Sequence, residues 1–374
     1  MVIFSKAWKE RCAVAVALTS AILAPAYAVA QSSVTLYGIL DSGLEYQTNA
    51  QKTRHSSVTL GSGEVYGNLF GMTGVEDLGG GLKAIFKLEA GFNPNTGTSL
   101  QGGRLFGRSA WVGLSDDHNK VIMGRVYTPL YDVLPYLDPL FGSNVGVLTQ
   151  DGGFTSRVDN GVRYTRTDGP FHENVLYSFG QNAVDTPPGS TAGAAGHSKE
   201  ISASVDYTTK RAMAALVYDK IHGPLVANQY ELGLFVPSLA ITAPTTGARA
   251  ERIAAAGRYT FGGTSLFAGY RHLRTVESSQ VENSNLYWGG VTQHVTAAWL
   301  LAFGLYHQKV TGIDAKPTSL AFQTQYLLSK RTALYGNVGK VWNSAASNMG
   351  LDTQTQTLLG AGQLGASIGI YHLF

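Results

Sequence analysis

Apolar and polar residues alternate along this chain in stretches of about ten residues, the period-two pattern of a β-strand with one oily and one wet face. From Leu82 to Phe92, Leu82, Ala84, Phe86, Leu88 and Phe92 share one face while Lys83, Lys87 and Glu89 share the other. In Ile201 to Tyr207, Ile201, Ala203, Val205 and Tyr207 oppose Ser202, Ser204 and Asp206. Ile253, Ala255, Tyr259 and Phe261 oppose Arg252, Arg258 and Thr260, and Phe322 and Tyr326 oppose Gln323 and Gln325. Any one such segment would suit a soluble sandwich. The breaks are more discriminating, because short turns alternate with long connections. The short ones are Asp77 to Gly81, Ser115 to Lys120, Thr167 to Glu173, Thr208 to Arg211, Gly262 to Thr264, Val295 to Ala297 and Ser329 to Arg331. The long ones are rich in small and polar residues: Gln181 to Lys199, the region after Ile221, and Asn343 to Thr357.

After Ala30 no apolar run reaches the roughly 18 residues that a spanning helix needs. The other way to satisfy every backbone group inside a bilayer is a closed barrel, with short turns at one rim and long loops at the other. The fold expected is therefore all-β, a transmembrane antiparallel barrel of about sixteen strands, a size that leaves an aqueous channel. Low charge (14%) and 45 glycines suit many strands and turns. Aromatic residues near the short turns (Phe171, Tyr207, Phe261, Trp299, Phe374) stand where an interfacial girdle would lie.

The first thirty residues have the three parts of a secretory signal: Lys6, Lys9 and Arg11, an apolar run from Ala13 to Leu23, then small Ala28 and Ala30. Thr19, Ser20 and Pro25 interrupt the run, which argues against a spanning helix. Cleavage after Ala30 would leave residues 31–374 as one barrel and remove Cys12, the single cysteine, and with it any disulfide or thiolate metal site. Subtracting Lys6, Lys9, Arg11 and Glu10 takes 28 basic and 25 acidic residues to 25 and 24, a net charge of +1. That balance gives nucleic-acid binding no electrostatic support.

Longer stretches are similar to motifs of the general porins of Gram-negative bacteria, most closely the β-proteobacterial trimeric porin family. They are Ser33-Val34-Thr35-Leu36-Tyr37-Gly38, the hairpin from Gly74 through Gly79-Gly80-Gly81 to Ala84, Gly107-Arg108-Ser109-Ala110-Trp111-Val112-Gly113-Leu114, Gly124 to Asp132, and the ending Gly369-Ile370-Tyr371-His372-Leu373-Phe374. The resemblance implies an outer-membrane homotrimer among lipid and lipopolysaccharide, passing small hydrophilic solutes and ions without a cofactor. It implies a third outer loop, here residues 127–158, folded inward as a constriction and stiffened by Pro129, Pro135 and Pro139. It also implies that the last strand, with Gly369, His372 and Phe374, is a signal to the barrel-assembly machinery. Leu364, Ala366, Ile368, Ile370 and Phe374 form that strand's apolar face.

In related porins acidic groups on the inward loop face basic groups on the wall. Carried over here, the loop acids are Asp132 and Asp138, with Asp151 as an extra, and the wall cations are Lys83, Lys87, Arg108, Arg125 and Arg163. Arg108 faces the lumen if Trp111, of opposite parity, meets lipid. Glu89 is expected to pair with Lys87, and Asp132 is either a loop anchor or a pore group. Leu69, Thr73 and Leu140 depart from the family's charged pattern and thin the ladder. The basic cluster before the loop favours anions. An outer-membrane enzyme is the rival class, but the nine histidines are scattered and form no His-Glu-x-x-His. A substrate-specific channel or an adhesin using the outer loops is the other rival.

Overall fold

The computed structural model describes residues 33–180, 199–223, 235–239, 245, 247–277, 280–352 and 355–374. The signal segment, most of the expected 181–199 loop and much of the connection after Ile221 lie outside them. The strands are β1 (Ser33–Gln47), β2 (Ser57–Ser62), β3 (Leu69–Gly79), β4 (Leu82–Gly91), β5 (Ser109–Ser115), β6 (Asn119–Tyr127), β7 (Arg157–Asp168), β8 (Phe171–Ser178) and β9 (Lys199–Thr208). They continue with β10 (Ala212–His222), β11 (Arg249–Phe261), β12 (Thr264–Glu277), β13 (Gln280–His294), β14 (Trp299–Val310), β15 (Thr318–Leu327), β16 (Thr332–Trp342) and β17 (Gln363–Leu373).

Each strand pairs antiparallel with its neighbours, and β1 pairs with β17 from Ile39↔Leu373 to Gln47↔Gly365, closing the sheet on itself. On its other side β1 pairs with β3 through Ser33–Ile39 and with β2 through Ser42–Gln47. β2 and β3 are thus two halves of one stave, and the seventeen strands build a sixteen-stave barrel. Between those halves residues 63–68 leave the wall and fold into the lumen, where the Asp41 carboxylate accepts the backbone N–H groups of Val65 and Tyr66, each at 2.8 Å. Nothing in the alternation pattern signalled this excursion, because its residues keep no period.

Strand parity sorts the two faces. Val34, Leu36, Leu44, Val112, Leu216, Ile253 and Phe322 point out and are exposed, Val34 to 66%. Asn174, Ser202, Arg252, Gln323 and Asn337 point in and are buried. Among the described residues no helix is long and apolar enough to cross a membrane. Aromatic side chains ring the short-turn end: Phe171 and Tyr207 pair with ring centroids 5.2 Å apart, and Phe261, Trp299, Tyr326 and Phe374 are exposed there.

Inward-facing polar residues are buried because the connection from β6 to β7 lies inside the barrel. It opens with a short helix, α1 (Pro129–Val133), capped by the Thr128 hydroxyl with proline at its start, and continues through single 3₁₀ turns. Leu130, Leu134, Leu137, Leu140, Val147 and Phe154 are fully buried against Met213, Ala215, Ala254, Ala302 and Ala321 of the wall. Each such side chain contributes roughly 2 kcal/mol of burial. The small wall residues make room: a Cβ at Gly290 would stand 2.6 Å from Pro139 Cγ, and one at Gly304 would stand 2.5 Å from Leu140 Cδ1. Leu140, where an acid was the family expectation, is therefore a packing residue.

Candidate functional site

The loop fills one side of the lumen and leaves an opening of about 390 Å³ against β1 and β3–β6. Glu89 is the hub of the wall beside it. Its Oε2 accepts from Tyr37 Oη (2.7 Å) and Lys87 Nζ (2.9 Å), and its Oε1 accepts from Arg108 Nε (2.9 Å) and Tyr127 Oη (2.6 Å). Four donors on one buried carboxylate fix Lys87 and Arg108 in place. Tyr131 stacks on Tyr127 with centroids 4.4 Å apart, and the Arg157 guanidinium lies 5.0 and 5.1 Å from the two rings. Asp132 pairs with Arg163, whose Nη2 also donates to Asn174 Oδ1 at 2.7 Å.

Lys87 and Arg108 line this opening with Glu89 and Asp132, and behind them Arg163 pairs with Asp132, Arg157 lies against Tyr127 and Tyr131, and Lys120 stands near Arg163 and Asp132. Glu64, in the excursion, is held up at about 9 by burial and then by the nearby Asp352, Glu45 and Asp41, so it adds no charge near neutrality. Its carbonyl accepts the Asn144 N–H at 3.0 Å, which joins the tip of the loop to the excursion. The lumen is crossed from wall to wall.

The sequence profile described as Gram-negative porin matches residues 15–346. An outer membrane porin protein of Bordetella pertussis is 31% identical, with 90% of this chain and 94% of the relative covered. One from Delftia acidovorans is 29% identical over 93% of this chain and 95% of its own. The solved anion-selective porin from Comamonas acidovorans superposes with a TM-score of 0.75 at 25% identity, covering 92% of this chain and all of that one. This chain belongs to the Gram-negative porin family. As a porin it is a passive diffusion channel of the outer membrane, and its closed sixteen-stave barrel agrees with the fold expected from its alternation.

The porin's constriction gathers some of the expected residues and separates others. Lys87, Arg108 and Asp132 meet at the opening, Arg163 pairs with Asp132 behind it, and Glu89 pairs with Lys87 as expected. Lys83 points inward but lies at the short-turn end, 3.9 Å from Asp117. Arg125, expected on the pore wall, does not line the opening: its side chain is 11% exposed, and its Nη1 bonds Asp159 Oδ1 (2.6 Å), which Arg104 Nη1 also holds (2.7 Å).

Asp138 and Asp151, expected to face the pore, are fully buried at the wall. Asp138 accepts Tyr306 Oη (2.5 Å) and the N–H groups of Gly142 (2.8 Å) and Val147 (3.2 Å); burial lifts its carboxyl to about 6, against the lowering effect of those bonds. Asp151 pairs with Arg252 Nη2 (2.9 Å) and Arg271 Nε (2.8 Å), and all three are out of solvent. A loop carboxylate pressed against a wall needs partners there, and the wall supplies them.

The reason given for Arg108 was also wrong, although the residue is at the opening. Trp111 is in register with Lys87 and so faces inward, packed with Ile122 and Val126. Arg108 precedes β5, where strand parity has no meaning. Reasoning from the sequence missed Lys120, Arg157 and the tyrosines. Tyr127, Tyr131 and Tyr136 at the start of the loop, and Arg157 at its end, were the available signal.

At the barrel seam Gly369 has a packing role, since a Cβ there would lie 2.2 Å from Tyr335 Oη, which donates to Asp41 at 2.7 Å. His372 Nδ1 is 2.8 Å from Thr332 Oγ1. The ring of Phe374 covers Gly38, and the two backbones exchange both hydrogen bonds at 3.1 Å.

Proposed function

We propose that this porin passes small hydrophilic solutes with a preference for anions, set by Lys87, Arg108, Lys120, Arg157 and Arg163. The observation that carries the reading is the withdrawal of Asp138 and Asp151 into the wall, which leaves Glu89 and Asp132 as the acids lining the opening, each held by cations, with Lys120 and Arg157 close behind. The relative from Comamonas acidovorans is described as anion-selective, which supports it. The test is the reversal potential of purified protein in a planar bilayer under a potassium chloride gradient. Anion selectivity that falls in Arg108→Ala supports the reading, and a cation-selective native channel refutes it.

Residues 1–30 act as a cleaved export signal in this reading, and residues 127–158 as the constriction loop. The last strand, with Gly369, His372 and Phe374, serves as the signal to the assembly machinery. The chain has a transport role and no catalytic one; lipase and protease assays on purified protein test that. Outward positions of β1, β2 and β5 are mostly aliphatic (Val34, Leu36, Leu44, Leu60, Val112, Leu114), with Tyr46 the aromatic exception, while β8–β15 carry most of the exposed aromatics, which supports a homotrimer packed through β1–β5. Lys199, Lys220, Arg249 and Arg274 share outward parity with exposed Ile201, Leu216, Ile253 and Tyr270, at the rim away from the short turns. They occupy adjacent register rows around Glu251, which stands between Lys220 and Arg274, and the surface that results, basic on balance, suits lipopolysaccharide phosphates.

A further inference from the structure

We infer that the constriction holds a binding site for carboxylates borne on a flat aromatic ring. The inference rests on the anion-channel reading and adds a substrate class to it. One side of the opening is cationic: Lys87 and Arg108, anchored by Glu89, with the Lys87 side chain 27% exposed. The side facing them is apolar. Tyr66 of the excursion and Pro135, Tyr136, Phe141 and Leu148 of the loop line it. Tyr136 is 58% exposed, and its backbone carbonyl accepts from Arg258 Nη1 at 3.5 Å, so the ring is offered to solvent from a tethered backbone. Asp132, the loop's carboxylate at the opening, is held by Arg163.

A field running between acids on the loop and bases on the wall orders water and excludes apolar bodies. Here the loop acids are used as anchors, and the loop shows rings to the opening instead. Chloride or acetate engages the cations alone. A benzoate ion engages both sides at once, with its carboxylate on Lys87 and Arg108 and its ring edge or face on Tyr136 and Phe141. Contact with both walls favours entry, and the absence of a closed pocket lets the solute leave, as conduction requires.

The experiment measures block of the chloride current through the purified full-length protein in planar bilayers by added sodium benzoate, cyclohexanecarboxylate or acetate. Benzoate is expected to block at concentrations about fivefold lower than acetate, the size of effect that one aromatic pair supplies. Tyr136→Ser should bring that ratio near one; reading a ratio cancels any change in basal conductance. Lys87→Gln should weaken block by both anions. Equal block by benzoate and acetate, or a ratio unmoved by Tyr136→Ser, overturns the ring site. Block by cyclohexanecarboxylate equal to benzoate overturns the requirement for a flat ring. A pore that stays anion-selective in chloride while failing these tests loses the site and keeps the channel reading, whereas a cation-selective pore loses both.

Discussion

Replacing Asp151 by asparagine should release the far end of the constriction loop. The carboxylate is shared by Arg252 and Arg271, and none of the three side chains reaches solvent. Breaking a buried pair by removing one partner costs about 3–5 kcal/mol, because the charge left behind is uncompensated. Asp219 lies 3.9 Å from Arg252 Nη1 and offsets part of that loss, which places the cost at the lower end, about 3 kcal/mol. At tenfold per 1.4 kcal/mol, the released population rises roughly 150-fold. The barrel ladder is untouched, so the effect is confined to the loop. Amide hydrogen exchange across residues 147–156 should accelerate by that factor, and single-channel current should become larger and noisier. Native exchange rates and native current in Asp151→Asn would refute the claim that this pair holds the loop to the wall.

Three other outcomes follow from the same packing. Because burial raises Asp138 above its ordinary value to about 6, the folded loop binds that proton more tightly than the unfolded chain; loop stability is therefore greatest below pH 4 and declines as pH rises through about 6, seen, once the intrinsic pH dependence of amide exchange is divided out, as lower protection of the Gly142 and Val147 amides at pH 7 than at pH 5, a difference abolished in Asp138→Asn. Gly290→Ala puts a methyl group 2.0 Å from the Phe303 carbonyl oxygen and 2.6 Å from Pro139 Cγ, so the thermal midpoint should fall by an amount corresponding to about 1–3 kcal/mol and the conductance should change. Arg125→Ala, whose charge is paired with Asp159 away from the opening, should leave the reversal potential unmoved where Arg108→Ala shifts it; equal shifts in the two variants would contradict that placement.

The strands were legible because a period of two carries the face of every residue with it. Once Leu82 and Phe86 are outside, Lys87 and Glu89 are inside, and the register of β4 on β5 confirms it. The rule failed where the period breaks. Arg125 follows Gly124, whose φ of 139° accompanies the bulge between β6 and β7, so strand parity does not carry across it and the pairing with Asp159 was not readable from its position. Residues 63–68 split a stave in two, and their inward fold depends on Asp41 accepting two backbone N–H groups that the sequence gives no reason to bring there.

The loop acids fell outside any such rule, because a connection has no parity and a carboxylate in it is equally readable as pore group or anchor. What decides between the two is the wall it crosses. Arg252 and Arg271 stand at inward positions of β11 and β12, readable from the alternation with Ile253 and Tyr270. Two arginines on a wall that a thirty-residue apolar loop must cover cannot be left dry and unpaired. An acid in the loop is then required opposite them, and Asp151 meets that requirement. Inward Tyr306 makes the same demand of Asp138 more weakly, since a buried hydroxyl needs an acceptor but not a charge. On the anion-channel proposal, charge selectivity is accordingly set by where the loop's own fold consumes its acids, and Lys87, Arg108 and their neighbours are the cations that act on the solute.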